Sequence, residues 1–293
     1  MQLSLDGKFA TYIPPKSQLL KWVGNKQRFA GEITRFFPST FNTFYEPFLG
    51  SGAIIATVAP QKGVGSDAFG PLIEIWKKLK SDSDGLIDWY ADRRNRLEKE
   101  EKKDVYESIK ASFNENPNGA DFLFLTRSCY GGIIRFRKAD GYMSTPCGVH
   151  MPIPVKTFEK RVREWHNRLK DVDFINADYK DIFDLSRKGD FIYCDPPYSH
   201  SQSILYGAQA FNLTELFEKI KEATGKGVKV ALSIDGKKKS GNYLCDLPIP
   251  DKLFKHEIYI SVGKSMLRRF QIEGKKLESE DVSDRLLLNY SLG

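Results

Sequence analysis

The sequence predicts an α/β fold built on a doubly wound, largely parallel sheet with helices on both faces. Three observations carry that reading. Short apolar strands recur along the 293 residues, separated by polar or helix-like segments. A glycine turn joins the first of them to a helix-like run, and acids stand at the ends of three others. Such alternation of strand and helix is the pattern of a parallel sheet covered on both sides.

Thr43-Phe44-Tyr45-Glu46 is the first strand, followed by PFLGSG and the helix-like run AIIATVA at 53–59. Gly63-Val64-Gly65-Ser66 is the second and ends at Asp67. The remaining strands are VDFIN (172–176), which leads into Asp178, FIYC (191–194) and VKVALSI (228–234). FIYC runs straight into Asp195-Pro196-Pro197-Tyr198. Each proline removes a backbone donor and fixes φ, so the strand ends at Asp195 in a stiff, extended ledge.

Between Asp67 and VDFIN lie about a hundred residues of another character. The first part is charged and helix-rich; the second, from 126 to 154, sets Gly131, Gly132, Gly141, Pro146, Gly148, Pro152 and Pro154 among aromatics and arginines. A strand-to-strand crossover needs only about a dozen residues. The segment therefore reads as an inserted domain, 70–155, within a sheet domain formed by 1–69 and 156–293.

Composition narrows the class. With 41% hydrophobic and 28% charged residues, the chain has the proportions of a globular protein with a sizeable core. No apolar run approaches the roughly 20 residues that span a bilayer, and the N-terminus lacks a signal-peptide layout. The expectation is a cytoplasmic protein with no membrane partner. Cys129, Cys147, Cys194 and Cys245 never form a Cys-x-x-Cys pair, so reduced thiols are expected, with no metal site. Residues 121–170 hold ten Lys or Arg against four Asp or Glu, nearly all of the net charge of +7. That concentration suits a polyanion, although TFEKRVREWHNRLK (157–170) also has the spacing of a solvated basic helix.

PFLGSGA between a strand and a helix lets backbone approach a ligand closely. Asp67, 17 residues beyond Gly50, stands near the spacing that places a carboxylate on a ribose hydroxyl. Together they favour an adenosine-containing cofactor. The lack of GxGxxG and of GxxxxGK[ST] counts against NAD and a P-loop nucleotide. Trp22, Gly24, Asn25 and Lys26 cluster in LLKWVGNKQ, where the plain alternative is a helix start with a buried tryptophan. Asp178 has a helix N-cap as its alternative, and Asp195 a capped Pro-Pro turn. Ligands of open α/β sheets bind beyond the carboxyl ends of the strands, where Asp67, Asp178 and Asp195 all project.

KWVGNK, EPFLGSGA, Asp67, Asp178, CDPPY and the closing RLLLNY, in that order around a long insert, resemble the Dam-like (α-group, D12 class) DNA adenine-N6 methyltransferases from about residue 19 to 290. The resemblance implies a class I (Rossmann-like) methyltransferase sheet, S-adenosylmethionine as methyl donor with S-adenosylhomocysteine as product, no metal, and 70–155 as a helical and β-hairpin target-recognition domain. It implies site-specific transfer to N6 of a flipped adenine in double-stranded DNA. The enzyme is then either solitary or part of a restriction-modification system with a cognate endonuclease acting separately.

By the same resemblance, Trp22, Lys26, Phe48, Gly50 and Gly52 frame the cofactor, Asp67 holds its ribose, Asp178 its adenine amino group, and Asp195 touches both pockets. FLFLTRSCYGGIIRFRKADGYMSTPCG (122–148) is similar to the family's DNA-contacting β-hairpin, with Tyr130, Arg135 and Pro146 at matching positions. Thr126 and Gly131 replace the family's asparagines, and His150 replaces a common aromatic. GATC is the family's commonest target, and these departures leave the target of this chain open. Arg135 and Arg137 are candidates for guanine edges. Lys138, Lys156 and Arg161 are candidates for phosphates or water.

The adenine amino nitrogen is a poor nucleophile because its lone pair is conjugated with the ring. Two acceptors against its N–H bonds, the Asp195 carboxylate and the Pro196 carbonyl, draw it towards tetrahedral geometry. Pro197 stiffens the ledge, and Tyr198 stacks on the flipped base. Three rivals stand beside this reading. Pro146-Cys147 resembles the nucleophile of cytosine-C5 methyltransferases, but the accompanying Glu-Asn-Val and Gln-x-Arg-x-Arg runs are missing. An amino methyltransferase acting on RNA shares the catalytic ledge, whereas glutamine modifiers usually carry Asn-Pro-Pro-Tyr in its place. A cofactor-free DNA-binding relic has no reason to keep Trp22, Lys26, Asp67, Asp195 and Tyr198 together.

Overall fold

The computed structural model describes residues 12–197, 211–238, 249–264 and 281–292. A short helix α1 (Ala30–Thr34) precedes β1 (Phe44–Glu46), α2 (Ala53–Val58) and β2 (Gly63–Asp67). Then come α3 (Gly70–Ser81), α4 (Ser83–Asn95), α5 (Lys102–Glu115), α6 (Gly119–Ser128) and α7 (Val155–Leu169). The chain continues through β3 (Val172–Asn176), α8 (Tyr179–Leu185), β4 (Phe191–Cys194), α9 (Leu213–Gly225), β5 (Lys229–Lys238), β6 (His256–Lys264) and β7 (Asp281–Leu288).

Among the described residues these strands form one sheet of seven in the order β3-β2-β1-β4-β5-β7-β6. Strands β1 to β5 pair in parallel, and β7 runs antiparallel between β5 and β6. The expected α/β sheet forms, and the antiparallel closing strand adds to it. Strand order reverses between β1 and β4, which opens a crevice beyond their carboxyl ends.

Alternate residues of each strand enter two separate cores, as a period of two requires. Phe44, Phe191, Tyr193 and Ala231 face the layer that holds α3 and α7. Tyr45, Ile192, Cys194, Val230 and Leu232 face α8 and α9. Burial on both faces explains why FIYC reads as an unbroken apolar run.

In α7, Phe158, Val162, Trp165 and Leu169 form one buried stripe, so the expected amphipathic helix is present from Val155. Trp165 stacks on Trp76 of α3 at 5.6 Å, and Trp76 stacks on Phe174 of β3 at 5.9 Å. Helix α6 packs among α3, α4 and α5, and its core is continuous with that of the sheet. Here the structure corrects the hairpin reading of 122–148. Phe122 to Ser128 are helical, capped by Asn118, whose side chain accepts the Asp121 N–H at 2.9 Å. A hairpin does follow, but only beyond Ser128. Its root is closed by Tyr130 N–H to Pro146 O and Gly148 N–H to Ser128 O, both 2.8 Å, and its tip by Arg137 N–H to Tyr142 O at 2.9 Å.

Among the described residues no helix is long and apolar enough to cross a membrane.

Candidate active site beyond the parallel strands

A pocket of about 680 Å³ opens at the reversal point. Its lining brings together Trp22, Lys26, Phe48, Gly50, Asp67, Asp178, Asp195 and Pro197, although the sequence scatters them over most of the chain. Gly52 and Pro196 sit behind this lining, both buried. Tyr198 lies outside the described residues.

The loop between β1 and α2 forms the floor. Gly50 adopts φ +46°, and a Cβ there would stand 2.8 Å from Trp22 Nε1, so only glycine lets the indole lie against the loop. Gly52, at φ +61°, caps α2, and a Cβ there would press on the Trp76 ring at 3.2 Å. The Gly50 N–H donates to Asp67 Oδ2 at 3.1 Å and the Phe69 N–H to Oδ1 at 3.0 Å. Burial raises the Asp67 pKa, and these amide donors work against the rise. Each oxygen keeps lone pairs for a ligand hydroxyl.

Glu46, which the sequence reading did not single out, closes β1 beneath the pocket and accepts the Ile55 N–H at 2.8 Å. Burial pushes its carboxyl well above the usual range; the Ile55 amide opposes that rise and the charge of Asp195 adds to it. Burial thus favours the protonated, hydrogen-bond-donating form of this carboxyl.

The Trp22–Lys26 segment is a turn with Gly24 at φ +75°, and the first helix begins only at Ala30. The helix-start alternative is thus corrected, and Trp22 is half-buried at the pocket wall. Lys26 is 6% exposed. Its Nζ lies 3.1 Å from Asp195 Oδ1 and 3.1 Å from Oδ2 of Asp284 on β7. Burial disfavours its charge, but the two carboxylates outweigh burial and the lysine pKa ends above its ordinary value.

Asp178 caps α8, accepting the Lys180 N–H at 2.9 Å, and also lines the pocket, so its capping role leaves it at the pocket wall. Phe48 stacks on Tyr179 at 5.1 Å to form an aromatic wall. The Tyr179 hydroxyl is buried without a hydrogen-bond partner among the described residues, and burial raises its pKa to about 12. The hairpin tip, Asp140 to Tyr142, forms the opposite rim. Among the described residues six acids against two lysines line the space, which suits a ligand carrying positive charge and amino or hydroxyl donors beside an aromatic ring.

Tyr130, Arg135, Arg137, Lys138, Pro146 and His150 are all exposed on or beside the hairpin. Arg137 is turned onto its own tip, paired with Asp140 at 2.6 Å and lying 4.3 Å above the Tyr142 ring. Lys156 is exposed. Arg161 is half-buried on α7. It donates to the Gln18 carbonyl at 2.7 Å, and Arg127 to the Leu19 carbonyl at 2.6 Å. These arginines hold the strand of chain that leads to Trp22. Cys147 lies opposite Cys129 at the hairpin root, away from the pocket, with its thiol pKa raised by burial. That environment fits a small hairpin residue and not an activated nucleophile. Among the described residues no group of three His, Cys, Asp or Glu side chains is placed to hold a metal ion.

Glu46 and Asp284 are the functional-site candidates that sequence reasoning passed over. Glu46 stood within the quoted EPFLGSGA, and its signal was an acid inside an otherwise buried strand. Asp284 had a similar signal, an acid immediately before RLLLNY.

A family profile described as D12 class N6 adenine-specific DNA methyltransferase matches residues 22–264. Similar proteins include the type II methyltransferase M1.LlaDCHI of Lactococcus lactis subsp. cremoris, 26% identical over 73% of this chain and 79% of the relative. The type II methyltransferase M.MjaIII of Methanocaldococcus jannaschii is 28% identical over 61% of this chain and 68% of its own. The DNA adenine methylase of Haemophilus influenzae is 28% identical over 62% and 64%.

Proposed function

This chain belongs to the D12 class N6 adenine-specific DNA methyltransferases, and from that premise we propose that its pocket holds S-adenosylmethionine beside one adenine drawn out of double-stranded DNA. It is an adenine-specific DNA methyltransferase. The observation that carries the site assignment is Asp195, fixed by Lys26 at 3.1 Å on the Pro-Pro ledge and facing the pocket.

The pocket fits the cofactor on its own chemistry. Its volume of about 680 Å³ has room for a cofactor and a base, its acids suit a sulfonium, and the Tyr179 hydroxyl, which has no hydrogen-bond partner among the described residues, can meet a polar group. Trp22, Phe48 and the Gly50–Gly52 loop would frame it, Asp67 would take the ribose hydroxyls and Asp178 the adenine amino group. When bound, S-adenosylmethionine supplies an electrophilic methyl group. The Asp195 carboxylate and the Pro196 carbonyl accept the two N–H bonds of the target amino group and free its lone pair. The two prolines hold these acceptors still, so that catalysis rests on positioning and fixed electrostatics. Tyr198 is assigned the stacking surface for the extruded base.

The division into a catalytic domain (1–69 and 156–293) and a target-recognition domain (70–155) is part of the same proposal. Tyr130, Arg135, Arg137, Lys138, Pro146 and His150 form its DNA-facing surface, and their exposure supports it. The cytoplasm is its proposed place of action. Relatives of both kinds, type II methyltransferases and DNA adenine methylases, support a role as a solitary enzyme or beside a separate endonuclease.

The test is direct: purified chain, labelled S-adenosylmethionine and duplex DNA should give N6-methyladenine at a defined sequence. Label recovered in 5-methylcytosine, or in RNA alone, overturns the reading.

A further inference from the structure

We propose that Asp140 is a positioning residue for base recognition: it clamps one edge of the Arg137 guanidinium and so presents the other edge to a guanine close to the target adenine. The inference rests on the reading of the hairpin as a surface that faces duplex DNA.

The hairpin tip is a closed turn on a fixed base. The Gly141 N–H returns to the Arg137 carbonyl at 2.9 Å, and Gly141 takes the positive φ, +70°, that the turn needs. Beneath the tip, Asn114 of α5 holds both backbone groups of Met143, accepting its N–H at 2.6 Å and donating to its carbonyl at 3.1 Å. Phe136, on the opposite arm, packs against Phe69 at 5.5 Å. The side chains at the tip are exposed, but the backbone that carries them is tied to the helices below.

On that base Arg137 is held from two sides. Its Nε donates to Asp140 Oδ1 at 3.1 Å and its Nη2 to Oδ2 at 2.6 Å, while the guanidinium lies 4.3 Å above the Tyr142 ring. The Tyr142 N–H donates to the same Oδ1 at 3.1 Å and fixes the carboxylate in turn. This clamp occupies one fork of the guanidinium. Nη1 and the second Nη2 proton form the other fork, the arrangement that pairs with O6 and N7 of guanine in the major groove.

The Arg137 and Asp140 side chains are 53% and 51% exposed, so their pairing adds little to stability. What it adds is direction. An unpaired arginine would meet any phosphate, whereas Asp140 offsets the charge of this one and leaves the gain to a ligand that matches the outer fork. Asp140, Gly141 and Tyr142 also line the pocket, so the fork stands at the mouth through which the adenine enters. The base it reads therefore lies near the extruded one.

The experiment compares the full chain with Asp140→Asn and Arg137→Ala on duplexes in which each G·C pair of the methylated site is replaced in turn by A·T. It reads the kcat/KM ratio for each replacement, the salt dependence of binding to unrelated duplex, and melting temperature. Wild type should discriminate about 5- to 150-fold at the guanine that Arg137 reads, and Arg137→Ala should lose that discrimination. Asp140→Asn should lower the same ratio at least about threefold, the scale of ordering one long side chain, and leave the ratios at other pairs unchanged. It also unmasks the guanidinium charge, so binding to unrelated duplex should steepen with salt by about one phosphate contact. An unchanged ratio in Asp140→Asn beside a lost one in Arg137→Ala overturns the proposal and leaves the guanine reading standing. Equal losses at every pair, with a lowered melting temperature, overturn it too, because they mark Asp140 as a structural part of the tip. Full discrimination at every pair in Arg137→Ala sinks the guanine reading and the proposal with it, whereas a wild type that transfers no methyl group to duplex DNA sinks the reading of the site itself.

Discussion

Replacing Glu46 with glutamine isolates an electrostatic penalty built into the pocket floor. The carboxyl is 3% exposed and accepts one amide N–H at 2.8 Å. Burial holds its pKa well above the ordinary value; the Ile55 amide opposes the rise, and Asp195 adds to it. A raised folded-state pKa means that below the unfolded value both states carry the proton and no penalty exists. As the pH climbs towards the folded value, the unfolded chain releases its proton while the folded chain keeps it. Wild-type stability then falls by about 1.4 kcal/mol for each pH unit. Glutamine keeps the shape and the acceptor for Ile55, and it does not titrate. Glu46→Gln should therefore gain on wild type as the pH rises above the ordinary carboxylate range, by about 3 °C in melting temperature for each unit below the folded-state value in a chain of this size. Thermal unfolding of both proteins across that range reads the difference. A gap that stays constant with pH, or that narrows as the pH rises, refutes a buried, protonated Glu46.

Lys26→Met leaves Asp195 and Asp284 buried without their shared counter-charge and should destabilise the fold by about 3–5 kcal/mol in denaturant titrations; a loss under about 1 kcal/mol contradicts the geometry of the cluster. Gly50→Ala puts a methyl group where Trp22 Nε1 stands 2.8 Å away and forces alanine to φ +46°. It should weaken S-adenosylhomocysteine binding at least about tenfold by calorimetry, since misplaced pocket walls act on that scale, and unchanged affinity argues that Trp22 is no wall of the cofactor site. Arg137→Ala breaks an exposed pair with Asp140, so stability should move by no more than about 0.5 kcal/mol. Specific duplex affinity should fall by about 1–3 kcal/mol if the guanidinium reads a base, and gel-shift titration separates that result from an idle surface residue.

The parts of this molecule that are legible in sequence are those governed by local chemistry. FIYC followed by two prolines can only be a strand that stops, and PFLGSG between strand and helix can only turn tightly. The acids of β2, β4 and the segment after β3 therefore come to one end of the sheet, where the structure places them. What escaped notice depends on residues meeting from distant parts of the chain. Lys26 reads as a cofactor lysine, and no local pattern says that Asp284 on β7 will share it. Arg161 reads as a basic side chain for phosphate or water, and no local pattern says that it also reaches the Gln18 carbonyl. Phe122 to Ser128 read as one arm of a hairpin because they abut it, but packing among three other helices favours α6. Glu46 shows the converse, since a carboxyl quoted within a motif acquires its significance only from burial beside Asp195.

The central claim is that the Asp195 carboxylate, held on the proline ledge, activates the adenine amino group. Asp195→Ala tests it most directly in a single-turnover assay with labelled S-adenosylmethionine and a duplex carrying the recognised site. Transfer to adenine should vanish while duplex binding stays close to wild type. Transfer at an undiminished rate would contradict the account.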